Sequence, residues 1–481
     1  MSTRKIGPNS LARLMGGWQR TGGKVPAYRQ IQQAVRLLIL DGRLPIGVRL
    51  PGERHLAAVL GVSRTTVAAA YAQLRDLGFV VSRHGSGSIT RVPDVTRRLP
   101  DEVLDDTLLE FSIAAPPAPK EIHAAYASAL AKLPLYLPAP GYEPAGLGEL
   151  RQAIADRYTR RGAPTSADEI LVTQGAQHGL VLSLSLLSRP GDQIVVDQPT
   201  YPKALDAIAN ASCRAIPVPL SRAGWDIELI GATLGQTGAR ISYLIPDFHN
   251  PSGRCMDEFS RAALTKIMVD RDCYLIVDET MIDLWHERDP PPPVARYDRG
   301  GKVISLGSMS KSYWGGMRIG WVRAHPDLVG AMALHRSSHD MGSPVLEQLA
   351  AMALLQDKEL SLAERRAQVR RQRDHLLARL NKQFPDWNLE VPQGGLSIWA
   401  ELPDPVATAL AAAAQEQGLR IAPGSRFGVD GALDRYLRLP FSMSESELDV
   451  AVERLSCAWE NTVHGRCRTT NVVPVDLTAA I

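Results

Sequence analysis

Residues 308–318, Ser-Met-Ser-Lys-Ser-Tyr-Trp-Gly-Gly-Met-Arg, follow an apolar β-branched run and set Lys311 among hydroxyls and glycines, with Arg318 seven positions on. A lysine held at a strand end in this way suits a Schiff base to pyridoxal 5'-phosphate. Lys311 would bond the aldehyde carbon, and Ser308, Ser310 and Arg318 would hold the phosphate, the guanidinium supplying a fixed two-pronged charge. Ser-x-Ser-Lys alone is a weak motif, so its companions carry the weight. Thr173-Gln-Gly-Ala-Gln177 opens a helix, so the amides of Gly175, Ala176 and Gln177 can receive the phosphate at a positive helix N-terminus. Tyr201 in Asp197-Gln-Pro-Thr-Tyr201 can stack on a pyridine ring, and Asn250 in Pro246-Asp-Phe-His-Asn-Pro-Ser-Gly253 can reach its hydroxyl. Asp278 closes the most apolar strand, where it can pair with the pyridine nitrogen and keep it protonated, and Arg438 in Tyr436-Leu-Arg-Leu-Pro-Phe441 can grip a carboxylate. His178 and His249 fall near the same strand ends, and both read as structural histidines.

A second chemistry sits near the N-terminus. From Lys24 to Arg91, ten Lys/Arg face three acids, a net of +7 in a chain of +3, so the remainder carries −4. Such asymmetry marks a nucleic-acid-binding module on a mildly acidic body. Ser63 is a suitable N-cap, which leaves Arg64, Thr65 and Thr66 facing outward toward base edges and phosphates of double-stranded DNA. Arg49 and Arg54, before and within the preceding helix, and Arg83, His84 and Gly85 on a basic turn, are placed for phosphate or minor-groove contact.

The elements that must position these residues are legible as periodicity. Tyr28, Ile31, Val35, Leu38 and Ile39 form one helical stripe, with Gly42 as a stop; Leu56, Ala57 and Leu60 form a second, ending at Gly61; Val67, Ala70, Tyr71, Leu74 and Leu77 form a third, closed by Gly78. Residues 79–83 and 88–92 flank His84-Gly-Ser-Gly87 as a hairpin, so residues 24–92 describe a winged helix-turn-helix. Residues 93–119, rich in proline and charge without period, read as a linker. From 120 to 462, apolar strands at 169–173, 193–197, 241–245, 273–278 and 302–306 alternate with amphipathic helices. This is an α/β large domain to about 330, then a smaller α+β domain at about 331–462 containing a long charged helix near 360–381. Residues 463–481 form a tail without pattern.

Leu50-Pro-Gly-Glu-Arg-His-Leu-Ala57, Gly61-Val-Ser-Arg-Thr-Thr-Val67, Tyr71 and Leu77-Gly-Phe79 resemble the GntR-family signature, with Gly52 where that family often has serine. The motifs around Lys311, together with Gly394-Gly-Leu-Ser-Ile-Trp399, are similar to fold-type I pyridoxal phosphate enzymes of the aspartate aminotransferase superfamily. Joined in one chain they resemble the MocR/GabR subfamily of bacterial transcriptional regulators. That resemblance implies a head-to-tail homodimer in which each reader lies near the partner's large domain. It also implies pyridoxal phosphate as ligand or coenzyme, a small amino compound as effector, and control of vitamin B6, amino-acid or amine metabolism genes. Tyr136 and Tyr142 are both candidates for a phosphate contact across the dimer. One departure stands out. The family usually has a tyrosine two or three positions after the aspartate, hydrogen-bonded to the ring oxygen, whereas here Thr280 and Met281 follow, Thr280 as a partial substitute and Met281 as core. The expected role is therefore sensing, with at most weak or half-reaction transaminase activity.

At 481 residues and 45% apolar, the chain can bury several cores, and no apolar run approaches the ~18 residues that span a bilayer. The first ten residues lack an apolar secretory core, which points to the cytoplasm. Five scattered cysteines, without a C-x-x-C pair, suggest neither a disulfide framework nor a metal site. The alternatives are an active aminotransferase with an autoregulatory reader, or a DNA-binding repressor whose body is only a dimerisation scaffold.

Overall fold

Three apolar helical stripes and a hairpin close the N-terminal module around one core. A computed structural model describes residues 5–16, 26–40, 43–83, 87–91, 108–356 and 360–464. Helices Ala27–Leu40, Glu53–Leu60 and Arg64–Asp76 bury Ile31, Val35, Leu56, Val67, Ala70 and Leu74 together. Tyr71, buried among them, donates its hydroxyl to the Pro51 carbonyl at 3.0 Å, a core role as its place in the stripe predicts. Gly61 ends the second helix in the left-handed conformation, at φ 68°, and the Ser63 side chain accepts from the Thr66 N–H, fixing the entry angle of the third. The wing is β1 (Val80–Arg83) paired antiparallel with β2 (Gly87–Thr90).

The module begins earlier than the sequence boundary at 24. Helix Pro8–Met15 buries Leu11 and Met15 in the same core, and Lys5 bridges to Arg49. An eight-residue helix is too short to hold itself, so its stability comes from this packing, which periodicity over two turns does not announce.

The linker 93–119 also requires correction over its second half. Residues 92–107 lie outside the described residues, but β3 (Leu109–Phe111) is the edge strand of the small domain's sheet. The large sheet comprises β4 (Ile170–Thr173), β5 (Gln193–Gln198), β6 (Arg214–Pro219), β7 (Ile241–Leu244), β8 (Tyr274–Asp278), β9 (Val303–Ser308) and β10 (Gly320–Arg323), in spatial order β4-β10-β9-β8-β7-β5-β6. β10 runs antiparallel to both neighbours, and the other pairs are parallel. Sequence patterning misses β6, whose two prolines suit a sheet edge, and the four-residue β10. Gly320 in β10 lies so close to the Gly175 backbone that an added Cβ would come within 2.6 Å of it. That contact brings the Lys311 loop against the N-terminus of helix Ala176–Leu187.

The small domain stacks helices Leu360–Gln383, Ala407–Glu416 and Glu445–His464 on a sheet of β11 (Asn388–Leu389), β12 (Ser397–Glu401), β13 (Leu419–Pro423) and β14 (Tyr436–Pro440) with β3, in order β11-β12-β14-β13-β3. The boundary near 330 falls too early. Helix Val345–Gln356 packs on Glu121–Lys132, and its Leu349, Ala350 and Leu354 belong to the large-domain core. Among the described residues no helix is long and apolar enough to cross a membrane, and no cluster of His, Cys, Asp or Glu forms a metal site.

Leu11→Ala is expected to destabilise the N-terminal module by about 2–4 kcal/mol while leaving the body's unfolding transition in place. Calorimetry that resolves the two transitions checks this.

Candidate cofactor and nucleic-acid sites

The strands β5, β7, β8 and β9 deliver polar residues to the same edge of the large sheet, where Arg438 of the small domain meets them. There Gly175, Ala176, Gln177, Tyr201, Asn250, Asp278, Ser308, Ser310, Lys311, Arg318 and Arg438 line one cavity of about 160 Å³. The ten residues read as a cofactor set from the sequence, and Arg438, read as a carboxylate grip, thus line one volume. Tyr243, Ala114, Thr280 and Met281 complete the wall.

One end of the cavity is built for an anion. Gly175 holds φ 93° as helix Ala176–Leu187 begins, so the first N–H groups of that helix face the opening. A side chain at Gly175 would meet Arg318 Nη2 at 3.0 Å, so only glycine leaves this cradle open. Arg318 is itself in the left-handed conformation, at φ 52°, and donates to the Gln174 carbonyl at 2.7 Å. Ser308 Oγ donates to Ser310 Oγ at 3.0 Å and accepts from the Ser310 N–H at 3.1 Å. A helix terminus, a guanidinium and two hydroxyls match a phosphate dianion.

The other end holds desolvated charge. Asp278 is buried, which pushes its carboxyl above the usual carboxylate range; the Tyr243 hydroxyl donates to Oδ2 at 2.8 Å and the Thr280 N–H to Oδ1 at 3.0 Å, both favouring the ionised form. Burial, and then the charge of Arg438, lowers Lys311 to about 8, while Asp278 acts in the opposite sense. Lys311 Nζ donates to the Ala114 carbonyl at 2.7 Å. Burial, followed by Arg426, lowers Arg438 to about 10. Its guanidinium donates to the Ser112 carbonyl and, at 3.4 Å, to Asn250 Oδ1, lies 5.1 Å over the Phe427 ring, and keeps a buried Nε without a partner. The residues present therefore fit pyridoxal phosphate: an amine of lowered pKa, a carboxylate for a ring nitrogen, an aromatic wall and an anion cradle.

Tyr243 is the site residue that sequence reasoning misses. It sits in mid-strand as an apparent core residue and reaches Asp278 only because β7 pairs with β8. It supplies a phenol beside the aspartate where Thr280 and Met281 do not. The two histidines lie outside the cavity wall. His249 is buried, which pushes it down to about 3, and contacts Ser252 Oγ at 3.0 Å and Asp197 at 3.6 Å; His178 accepts from the Gln174 N–H and lies 3.5 Å from Asp340. Tyr136 is half-buried and Tyr142 exposed, both outside this wall.

In the N-terminal module Ser63, Arg64, Thr65 and Arg54 are exposed and Thr66 is half-buried. Ser63 Oγ lies 2.7 Å from the hydroxyls of both Thr65 and Thr66, and Arg64 Nε is 3.3 Å from Glu53 Oε2, so an acid from the preceding helix pairs with the arginine on the exposed face. An added Cβ on Gly87 would meet Arg49 Nε at 2.9 Å, which puts that side chain along the wing. Arg83 pairs in register with Gly87, whereas His84 and Gly85 lie outside the described residues.

A nucleic-acid reader joined to a fold-type I α/β body defines the class of protein. The chain belongs to the aminotransferase class I and II family, whose model matches residues 139–455, and residues 27–89 match the bacterial regulatory proteins of the gntR family. It is a GntR-type regulator fused to an aminotransferase-like domain. It is 27% identical to the uncharacterized HTH-type transcriptional regulator YdfD of Bacillus subtilis, over 88% of this chain and 94% of that one, and 29% identical to the uncharacterized HTH-type transcriptional regulator YdcR of Escherichia coli, over 85% and 94%. Among solved structures it resembles a kynurenine aminotransferase of Pyrococcus horikoshii, with TM-score 0.70 and 26% identity, over 81% of this chain and 99% of that one.

A lysine lowered to about 8 is expected to be about half neutral at pH 8, against roughly 1 in 300 at the ordinary 10.5. The reaction of Lys311 with trinitrobenzenesulfonate, followed by peptide mass spectrometry, is expected to rise with pH with a midpoint at about 8 and level off about one unit above it, while surface lysines keep rising toward 10.5.

Proposed function

We propose that this chain is a transcriptional regulator, acting in the cytoplasm as a head-to-tail homodimer, that binds DNA through its N-terminal winged helix-turn-helix and carries pyridoxal 5'-phosphate on Lys311 to sense a small amino compound. The observation that carries this reading is the convergence of the cradle, Asp278, Lys311 and Arg438 on one cavity in a chain that also displays an exposed, N-capped recognition helix. A scaffold without a cofactor has no need for four buried charged or hydroxyl side chains facing one volume. When bound, pyridoxal phosphate supplies an electrophilic aldehyde that takes up a primary amine and a ring that withdraws electrons. The chain's own residues do the rest. Gly175 to Gln177, Ser308, Ser310 and Arg318 would hold the phosphate; Tyr201 would stack on the ring; Asn250 would meet its hydroxyl; and Asp278, its charge supported by Tyr243, would hold a proton on the ring nitrogen. Arg438 would take the effector's carboxylate. Two readers fixed at one spacing make DNA affinity sensitive to the conformation of the body. Exposed Leu130, Leu135 and Leu137, the last two 79% and 67% accessible, offer apolar area for a second copy to cover. Genes of vitamin B6, amino-acid or amine metabolism are the matching targets.

An active aminotransferase is the second reading, favoured by Asn250, Asp278, Lys311 and Arg438 sharing one cavity. Thr280 and Met281 after the aspartate weigh against efficient turnover. Steady release of a keto acid at ordinary enzyme rates would select it over sensing.

The purified chain is expected to show a visible absorption band with pyridoxal phosphate that borohydride abolishes and that Lys311→Ala lacks, while the variant still shifts its promoter DNA. No band after cofactor addition would sink the cofactor assignment, and no shift of DNA from its own promoter region would sink the regulator. Arg64→Ala should weaken specific DNA binding about 10–100-fold in a titration at fixed salt, with the absorption band unchanged.

A further inference from the structure

The segment ahead of the body's large domain runs along the cavity, whose wall includes Ala114. β3 is paired in parallel with β13 of the small domain, and Phe111 and Ala114 are buried in that domain's core. Ser442 fastens the next residues, its Oγ accepting from the Ala115 N–H at 3.2 Å and donating to the Ile113 carbonyl at 3.4 Å; Arg365 donates to the Pro117 carbonyl at 2.9 Å. Between these pins, two backbone carbonyls meet two of the cavity's three cations, Ser112 accepting from Arg438 and Ala114 from Lys311. Lys311 follows β9 of the large domain, so its bond to Ala114 ties one domain to the other. Pro116, Pro117 and Pro119 have fixed φ and no N–H, so this stretch has few ways to absorb a displacement locally.

Each contact competes with ligation. A guanidinium binds a carboxylate through two parallel charge-assisted hydrogen bonds, which outmatch a single neutral carbonyl. When an ammonium condenses with an aldehyde, a carbon–nitrogen double bond replaces the carbonyl, and two of the three ammonium hydrogens leave with its oxygen as water. One N–H remains, so the nitrogen that held Ala114 is committed elsewhere.

Resting on the proposed cofactor site, the structure assigns to residues 112–114 the role of a built-in occupant. The Ser112 carbonyl takes the place of a ligand carboxylate on Arg438, and the Ala114 carbonyl holds Lys311. Lys311 leaves Ala114 when it takes the cofactor and is freed again when a ligand amine replaces it, so the contact that the ligand breaks is Ser112 on Arg438; a ligand carboxylate lifts the segment there, and the displacement passes back along the chain toward the reader. A plain amine of the same size leaves Ser112 on Arg438. The recognised class is therefore an amino carboxylate, and the signal is release of the segment rather than turnover.

The test is amide hydrogen exchange of peptides covering 109–118 in the full chain. Its two probes are N-phosphopyridoxyl-L-alanine and N-phosphopyridoxyl-ethylamine, which differ only in the carboxylate. The alanine adduct is expected to speed exchange at 112–115 about tenfold, as the loss of one hydrogen bond's protection would, and the ethylamine adduct to do so far less. Without any adduct, Arg438→Gln and Lys311→Met should each speed exchange in the same peptides, and Arg438→Gln should respond equally to both adducts. Ser442→Ala, outside the cavity wall, should loosen the segment while keeping the visible band, which guards against a charge variant that fails to fold. Equal exchange with the two adducts in the wild-type chain, both shown bound by their own absorbance, would overturn the inference. If neither adduct binds, the cofactor reading has failed, and the two charge variants still decide this one: unchanged exchange in both refutes the contacts, and faster exchange upholds them.

Discussion

Keeping two cations and a carboxylate out of water within one cavity is the constraint on which the body depends. Asp278 and Arg438 are buried and Lys311 is half-buried, and each pays a desolvation cost that neighbouring dipoles must offset. The offsets come from distant parts of the fold. Asp278 receives the Tyr243 hydroxyl and the Thr280 amide, Lys311 the Ala114 carbonyl, and Arg438 the Ser112 carbonyl and the Phe427 face. Incomplete compensation leaves a lysine lowered toward neutrality and an acid raised above its ordinary range. Reactive groups are poised in this way.

Beneath the cavity a second tier of buried polar groups fixes the strand ends. Glu279 accepts from the Tyr158 hydroxyl at 2.7 Å and from Ser305 at 2.9 Å, directly after Asp278 in the chain. Arg157 pairs with Asp283, which also accepts from Ser312, one residue beyond Lys311. Arg261 and Asp247, both fully buried, pair at 2.8 Å just before the Asn250 loop. Arg336, also fully buried, donates to the carbonyls of Pro144 and Val172, locking the strand that leads to Gly175. Removing one partner from any of these pairs strands a buried charge, so the tier holds site residues in register more than it adds stability.

The reader obeys opposite physics. Its charges stay solvated on a small core, with Ser63 using its hydroxyl to cap helix Arg64–Asp76 and Glu53 pairing with Arg64 on the surface. Surface cations steer DNA through long-range attraction that salt screens, whereas buried ones recognise a single ligand by geometry. One chain thus carries a solvated basic head and a body with buried charges around a cavity, and residues 108–119, ahead of the large domain in sequence, are packed into the body.

The sequence alone determined the local chemistry: the lysine at a strand end, the glycine before a helix N-terminus, the Ser63 cap, and the helical and strand periods that separate reader from body. These are set by neighbours a few positions apart, where backbone preference and periodicity act. Only the tertiary structure decided the order of the large sheet, which carries Tyr243 to Asp278, the short antiparallel β10 that seats Lys311 against Gly175, and the membership of residues 8–15 and 109–119 in folded domains. The contacts of Ala114 with Lys311 and of Ser112 with Arg438 span 197 and 326 positions. No local pattern encodes such pairs, because they form only when two domains with separate cores close on each other and leave those carbonyls as acceptors for buried cations.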